Sequence, residues 1–291
     1  MKQLSLKAYA KLNLALDVLS RLDDGYHAMR MVMQSVGLCD DVQITLRDDG
    51  IVRASSDDAA LPTDDGNIVV RAAKLFFRET GQEYLGADIH LVKRIPVCAG
   101  MGGGSSDGAA VLRGLNQLTG ADLSRVQLQE LGFRIGADIP FCIAGGTQLA
   151  EGKGEILTDL PAMPDCDVVI CKPDFAISTP MLFRVIDGQP LTRHPDIDGM
   201  MAAMETGDLS GVASRLSNVF EEVLPDDFAE IHRVRQRLLD LGAVGAVMTG
   251  TGSAVFGLFT DSDAARRAQE TLSDDYAACW HTTVTPAIEN F

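Results

Sequence analysis

The chain has 291 residues, and its 25 Lys and Arg against 41 Asp and Glu give a formal net charge of −16, which opposes nucleic-acid backbones and leaves no polybasic patch for a membrane surface. No apolar run reaches the roughly 18 residues of a membrane span, and the first residues alternate apolar positions with Lys2, Lys7, Lys11 and Asp17, so neither a span nor a secretory leader is expected. Cys39, Cys98, Cys142, Cys166, Cys171 and Cys279 lie in apolar surroundings without a Cys-x-x-Cys pair and read as buried packing thiols in a reducing cytoplasm; the length suits two ordinary domains.

From Leu4 to Val18 every even position is apolar, which predicts one long strand or two collinear strands with one buried face. Tyr9, Lys11 and Asn13 fall on the opposite face, so the Lys11 ammonium and the Asn13 amide project side by side, toward solvent or toward a common ligand. Asp23-Asp24-Gly25 marks a turn that presents Tyr26 and His27, either as loop packing or as a stacking surface and hydrogen-bonding edge for a flat base. Val42, Ile44 and Leu46 alternate as a strand, and the acidic span over 48–65 reads as an exposed loop or hairpin. A helix is expected over 67–80 with a stop at Gly81, and then Ala87, Ile89 and Leu91 form a strand that runs into Lys93-Arg94-Ile95-Pro96.

That strand empties into Pro96-Val97-Cys98-Ala99-Gly100-Met101-Gly102-Gly103-Gly104-Ser105-Ser106-Asp107, and a helix follows with Val111, Leu112, Leu115 and Leu118 on its apolar face. Strand, glycine loop and helix start together form a phosphate cradle, because backbone N–H groups and the positive helix end face one space; a plain glycine-rich turn into a buried helix is the alternative. It is not a Walker loop, since Gly152-Lys153-Gly154 lacks both the spacing and the hydroxyl. Ser105 stands where a dinucleotide fingerprint needs its third glycine, and Asp174-Phe175-Ala176 has no companion His-Arg-Asp loop of a protein kinase.

A helix over 122–134 leads into Gly136-Ala137-Asp138-Ile139-Pro140-Phe141, where the carboxylate among apolar neighbours calls for a partner such as Lys11, or caps a helix. Gly145-Gly146 and Gly152-Lys153-Gly154 bracket a short strand or hairpin, and Pro161 with Pro164 marks a boundary between domains 1–160 and 161–291. Beyond it come a strand over 168–171, a helix capped by Ser178-Thr179 that carries Leu182 and Phe183, and helical spans near 200–205 and 211–223. Asp227 and Glu230 start a helix, box-capped, up to Gly242; strands over 246–249 and 254–259 flank Gly250-Thr251-Gly252-Ser253; a helix over 263–272 and a strand over 282–284 close the order.

Taken together, Lys7 to Leu14, Asp24-Gly25-Tyr26-His27, Gly66-Asn67-Ile68, the 96–107 loop, Gly136 to Phe141, Lys172-Pro173 with Ser178-Thr179, and Gly250-Thr251-Gly252-Ser253 resemble the GHMP small-molecule kinases, and most closely the branch acting on a cytidine-diphosphate-linked polyol. The resemblance implies an α+β fold in two domains, ribosomal protein S5 domain 2-like and ferredoxin-like, with the site between them. It implies transfer of the ATP γ-phosphoryl group to a 2-hydroxyl of the acceptor in non-mevalonate isoprenoid synthesis. Pro96, Val97, Cys98, Ala99, Gly100, Met101, Gly102, Gly103, Gly104, Ser105 and Ser106 would wrap the ATP phosphates, with Asn67 near the adenine. Lys11 and Asp138 would be the catalytic pair. Tyr26, His27, Thr179 and Phe183 would hold the cytidine end, and Asn13 would face substrate. Mg²⁺ would bridge the phosphates near Ser105 or Ser106, with no dedicated metal carboxylate in the sequence.

Tyr9 in place of the family's usual proline, Met101 for leucine, Gly108 for alanine, and Thr249 and Thr251 for serines depart from the pattern without removing a charge or hydroxyl. Another GHMP kinase, of the mevalonate or homoserine type, would not need Tyr26 and His27. A non-catalytic nucleotide-binding module would not need Lys11 and Asp138.

Overall fold

A computed structural model describes residues 2–288. Strands β1 (Gln3–Arg21) and β2 (His27–Arg47) form a long antiparallel hairpin, turned at Gly25. Their register slips at Tyr9/Lys11, Asn13/Ala15 and Val18/Ser20, and such slips re-aim the side chains that follow. The even-numbered apolar residues therefore do not keep one face: Ala8, Leu16 and Val18 join one core, while Ala10, Leu12 and Leu14 join a second. Lys11 and Asn13, between them, are buried rather than set on a solvated sheet face.

The acidic span after β2 is not a hairpin. Within it β3 (Val52–Ser56) pairs in parallel with β4 (Gly86–Val92), the two being connected through helix α1 (Ile68–Glu79). Asn67 caps α1, its side-chain oxygen accepting from Val69 N at 3.1 Å. Helix α2 (Gly103–Thr119) starts inside the glycine run and ends at Gly120, and its Gly108 lies where a Cβ would come 2.6 Å from the Ile68 side chain. Helix α3 (Arg125–Phe133) starts at Arg125 rather than 122 because Ser124 and Gln127 close a capping box there. Helix α4 (Ile139–Ala144) and the hairpin of β5 (Thr147–Gly152) and β6 (Ile156–Asp159) complete the first half.

The second half runs β7 (Asp167–Lys172), α5 (Thr179–Gly188), α6 (Ile197–Glu205), α7 (Leu209–Ala213), β8 (Ser217–Asn218), α8 (Glu230–Asp240), β9 (Gly245–Met248), β10 (Val255–Phe259), α9 (Ser262–Ser273) and β11 (Ala278–Thr283). Strands β11, β7, β10 and β9 lie side by side in that order, all antiparallel, the arrangement of a ferredoxin-like βαββαβ unit. The other sheet has the order β3-β4-β2-β1-β8, with β5 on the free part of β2 and β6 outside it. Strand β8 belongs to the second half of the chain yet pairs with β1 at Ala15 and Leu16, so the two halves share a sheet as well as a core.

Four expectations give way here. The span over 211–223 is not one helix but α7, β8 and a 3₁₀ turn at Val219–Val223, because the Asn218 amide is spent on distant backbone: its Nδ2 donates to Met248 O and Gly250 O, both at 2.8 Å. Helix α8 has no box cap; a 3₁₀ turn at Asp226–Phe228 precedes it and Glu230 accepts instead from the Tyr276 hydroxyl. The last strand lies at Ala278–Thr283, earlier than 282–284. Cys98 is exposed, whereas the other thiols are buried or half-buried, and burial pushes Cys142 and Cys166 up to about 12. No helix among the described residues is long and apolar enough to cross a membrane.

Leu12 is 0% exposed between Lys11 and Asn13, on the opposite face of β1, and Leu19 is 55% exposed farther along the same strand. Leu12→Ala is expected to remove about 2–5 kcal/mol of stability in urea denaturation, and Leu19→Ala to stay within about 0.5 kcal/mol of the parent.

Candidate active site

The glycine loop owes its shape to alternate left-handed residues: φ is 54° at Cys98, 74° at Gly100 and 69° at Gly102. That alternation turns successive N–H groups toward one concavity, a backbone nest for anions. Helix α2 follows at once with Gly103, Gly104, Ser105 and Ser106 and no acidic residue in its first turn, so nothing in that turn neutralises the positive helix end.

Three segments hold this loop from outside. Lys11 N donates to Met101 O at 3.1 Å, Ala254 N to Ala99 O at 3.2 Å, and the Thr249 hydroxyl to Gly100 O at 3.3 Å. A Cβ on Gly100 would lie 2.2 Å from Thr249 O, so the loop and the Gly250-Thr251-Gly252 segment interlock through bare backbone. A Cβ on Gly102 would meet the Lys11 side chain at 3.1 Å. Beneath the helix start, Lys93 is buried between Asp40 and Asp107. Burial and the neighbouring Asp40 push the Asp107 carboxyl up to about 7 against the pull of Lys93, while the two carboxylates together outweigh burial and raise Lys93. Asp107 is thereby committed to Lys93.

The loop is the common wall of two cavities. The smaller, of about 330 Å³, lies against Asn67 and Pro96 to Ser105, with apolar Leu61, Ile68 and Leu91 beside them. The larger, of about 720 Å³, is lined by Lys11, Asn13, Tyr26, His27, Asp138, Thr179 and Phe183. Cys98, Gly100, Gly102 and Ser105 border both. Of the residues singled out from the sequence, Ser106 lines neither: it is buried and its hydroxyl donates to Tyr9 O at 2.7 Å, which leaves Ser105 as the hydroxyl open to a phosphate. Asn67 borders the smaller cavity with its amide already engaged, capping α1 and donating to Pro62 O at 2.8 Å.

In the larger cavity Lys11 Nζ donates to Asn13 Oδ1 at 2.6 Å and stands 3.9 Å from Asp138 Oδ2. The Lys11 side chain is 5% exposed and that of Asp138 38%. Asp138 occupies the N-cap position of α4 but makes no capping bond, so the helix-cap reading of this carboxylate fails and it faces the cavity. Asn13 is fixed from behind, its N–H donating to the Thr249 hydroxyl at 3.0 Å. Such a constellation places a carboxylate that accepts a proton beside an ammonium that stabilises negative charge, within reach of a phosphate cradle.

The far end of this cavity is aromatic. His27 stacks on Phe183 with ring centroids 4.5 Å apart, and Phe183 meets Phe220 edge-on at 5.1 Å. Tyr26 is 60% exposed, with Lys153 Nζ 4.4 Å from its ring centroid. The Thr179 hydroxyl shares a 2.7 Å hydrogen bond with that of Thr251, closing α5 onto the last glycine segment, while Ser178 precedes α5 without a side-chain cap. Two residues here escaped the sequence reading. Asp187, which meets His27, falls four residues after Phe183 and hence on the same face of α5, a spacing that could have flagged it. Lys153 was visible only as part of a failed Walker match.

Two family descriptions match the chain: "GHMP kinases N terminal domain" over residues 67–146 and "GHMP kinases C terminal" over 200–278. A 4-diphosphocytidyl-2-C-methyl-D-erythritol kinase of Lachnoclostridium phytofermentans is 46% identical over 91% of each chain, and one of Caldicellulosiruptor saccharolyticus 44% identical over 92% of each. A crystal structure of 4-(cytidine 5'-diphospho)-2C-methyl-D-erythritol kinase superposes with a TM-score of 0.83 at 33% identity, covering 97% of this chain and 99% of that one.

Gly100→Ala sets a Cβ against the Thr249 carbonyl at a left-handed position. It is expected to lower kcat/KM for ATP, followed by ADP release, by about tenfold to a hundredfold, since misplacing a positioning element by about 1 Å costs up to that much in rate.

Proposed function

Because the chain belongs to the 4-diphosphocytidyl-2-C-methyl-D-erythritol kinases of the GHMP kinase family, we propose that ATP occupies the smaller cavity, that the cytidine-diphosphate-linked polyol occupies the larger, and that the γ-phosphoryl group passes to the polyol's 2-hydroxyl beside Gly102. The chain is an ATP-dependent small-molecule kinase of isoprenoid precursor synthesis. One observation carries the assignment of roles: Lys11 and Asp138 face each other where the glycine loop borders both cavities.

Phosphoryl transfer passes through a loose transition state, so positioning and charge stabilisation dominate and the acceptor proton leaves late. Asp138, open to the cavity, takes that proton as the hydroxyl oxygen becomes acidic. Lys11 stands within 3.9 Å of Asp138, is aimed by Asn13, and stabilises the negative charge shared by carboxylate and transferring oxygen. The nest at Cys98, Gly100 and Gly102 and the start of α2 hold the nucleotide phosphates. Tyr26, His27 and Phe183 hold the cytidine end, with Thr179 tying α5 against the glycine segment behind it.

Mg²⁺ would be carried mainly by the nucleotide phosphates, with the Ser105 hydroxyl, which lines the smaller cavity, alongside. Bound there, the ion would neutralise charge on the β- and γ-phosphate oxygens. Residues 1–160 then supply the nucleotide side of the cleft, and residues 161–291 close the acceptor side through α5 and the Gly250-Thr251-Gly252 segment.

Asp138→Asn is expected to lower kcat by about 10²–10⁴-fold with little change in ATP affinity, read from ADP release driven by the cytidine acceptor. Activity within threefold of the parent would remove Asp138 from the mechanism. The same assay with homoserine, mevalonate and galactose tests the acceptor: turnover of one of these in place of the cytidine compound would overturn the assignment.

A further inference from the structure

His27 stands at the acceptor cavity in a fixed orientation. Its ring lies against Phe183 with an interplanar angle of 23°, its side chain is 8% exposed, and Nε2 is 2.8 Å from Asp187 Oδ1. A carboxylate only accepts, so the hydrogen in that bond sits on Nε2. In the neutral ring the other nitrogen is then a bare acceptor. Nδ1 takes no hydrogen bond from the described residues, and it is not among their sealed, unpartnered buried atoms. It is free to receive a ligand's hydrogen.

Asp187 is itself held. Its second oxygen lies 3.3 Å from Arg21 Nη1, on the end of β1 next to the turn that carries His27, and the bond from His27, with Arg21 assisting, keeps its carboxyl below the usual range. The carboxylate, Phe183 and the glycine-segment hydroxyl partner Thr179 all stand on α5, the first two one helical turn apart. Helix α5 thus supplies both the surface that sets the plane of the His27 ring and the group that chooses which nitrogen carries the hydrogen.

We propose that Asp187 is a positioning residue that fixes His27 as the Nε2–H tautomer, so that Nδ1 presents an acceptor to the nucleobase and selects a base bearing an amino group over one bearing a carbonyl at the same place. This rests on the cytidine end of the acceptor lying at His27. On the cytosine edge the 4-amino group is the donor, whereas uracil sets an acceptor carbonyl there. A ring locked the other way would offer N–H to that position and prefer uracil. The Asp187 contact therefore acts on base choice without touching the base.

The test uses the full chain with ¹⁵N-labelled histidine, the His27 signals being identified by their loss in His27→Asn. Without ligand at neutral pH, the parent should show a protonated Nε2 and a bare Nδ1, and Asp187→Ala should move His27 toward a mixture of tautomers. Asp187→Ala should raise the acceptor KM by about tenfold or more, with kcat within threefold and ATP KM unchanged, and shrink the preference for CDP over UDP in calorimetric binding by a similar factor. Asp187→Asn, which retains an oxygen able to accept from Nε2, should recover most of both. A parent His27 protonated at Nδ1, or at both nitrogens, overturns the proposal even if Asp187→Ala does not fold, and so does an Asp187→Ala protein with unchanged CDP preference. If the parent binds CDP and UDP but phosphorylates no cytidine acceptor, the proposed function fails while the tautomer and binding results still decide the role of Asp187.

Discussion

Everything at the site depends on a contact made mainly by main chain: the backbone of the glycine loop against the backbone of the Gly250-Thr251-Gly252 segment. Gly100 approaches Thr249 O so closely that a Cβ would stand 2.2 Å away, and the Ala99 carbonyl is met from the other strand end by Ala254 N. The Lys11 N–H bond to Met101 O adds β1 to the same joint. Because backbone atoms have few alternative positions, this joint fixes the loop, the strand bearing the ammonium and the end of the ferredoxin-like sheet relative to one another. Thr249 shows the economy of the arrangement, since one hydroxyl accepts from Asn13 N and donates to Gly100 O.

The electrostatics of the site are local. A chain of net charge −16 binds a polyanion only if the charges near it are of the other sign or are dipoles pointing the right way, since distant charges are screened beyond about 8 Å at physiological salt. Here the first turn of α2 is free of acid, Lys11 is held in the wall beside Asp138, and Asp40 and Asp107 beneath the helix start share the Lys93 ammonium.

What the sequence made legible follows the range of the forces involved. Helix α1 was readable to its caps because Asn67 and the apolar spacing act within a few residues, and so were the glycine loop, β9, β10 and the Lys11–Asp138 meeting implied by family resemblance. The span over 211–223 was misread because what breaks it, Asn218 donating to Met248 and Gly250, is decided by residues far along the chain. The face switches of β1 were hidden for the same reason, since they arise from its register with β2. Ser106 looked like a cradle residue by position, yet the rotation of α2 turns it to Tyr9 and leaves Ser105 at the cavities. The departures from family pattern have physical sense at two places: Thr249 retains the hydroxyl that its two bonds require, and Gly108 leaves room for Ile68.

The shared wall of the two cavities has a thermodynamic consequence. Cys98, Gly100, Gly102 and Ser105 each border the smaller cavity and the larger one, so a ligand that stiffens or shifts the wall from one cavity changes it for a ligand in the other as well. Linkage then makes the effect mutual: whatever factor the nucleotide imposes on acceptor affinity, the acceptor imposes on nucleotide affinity. The free energy of the fully loaded state is the same whichever of the two is bound first.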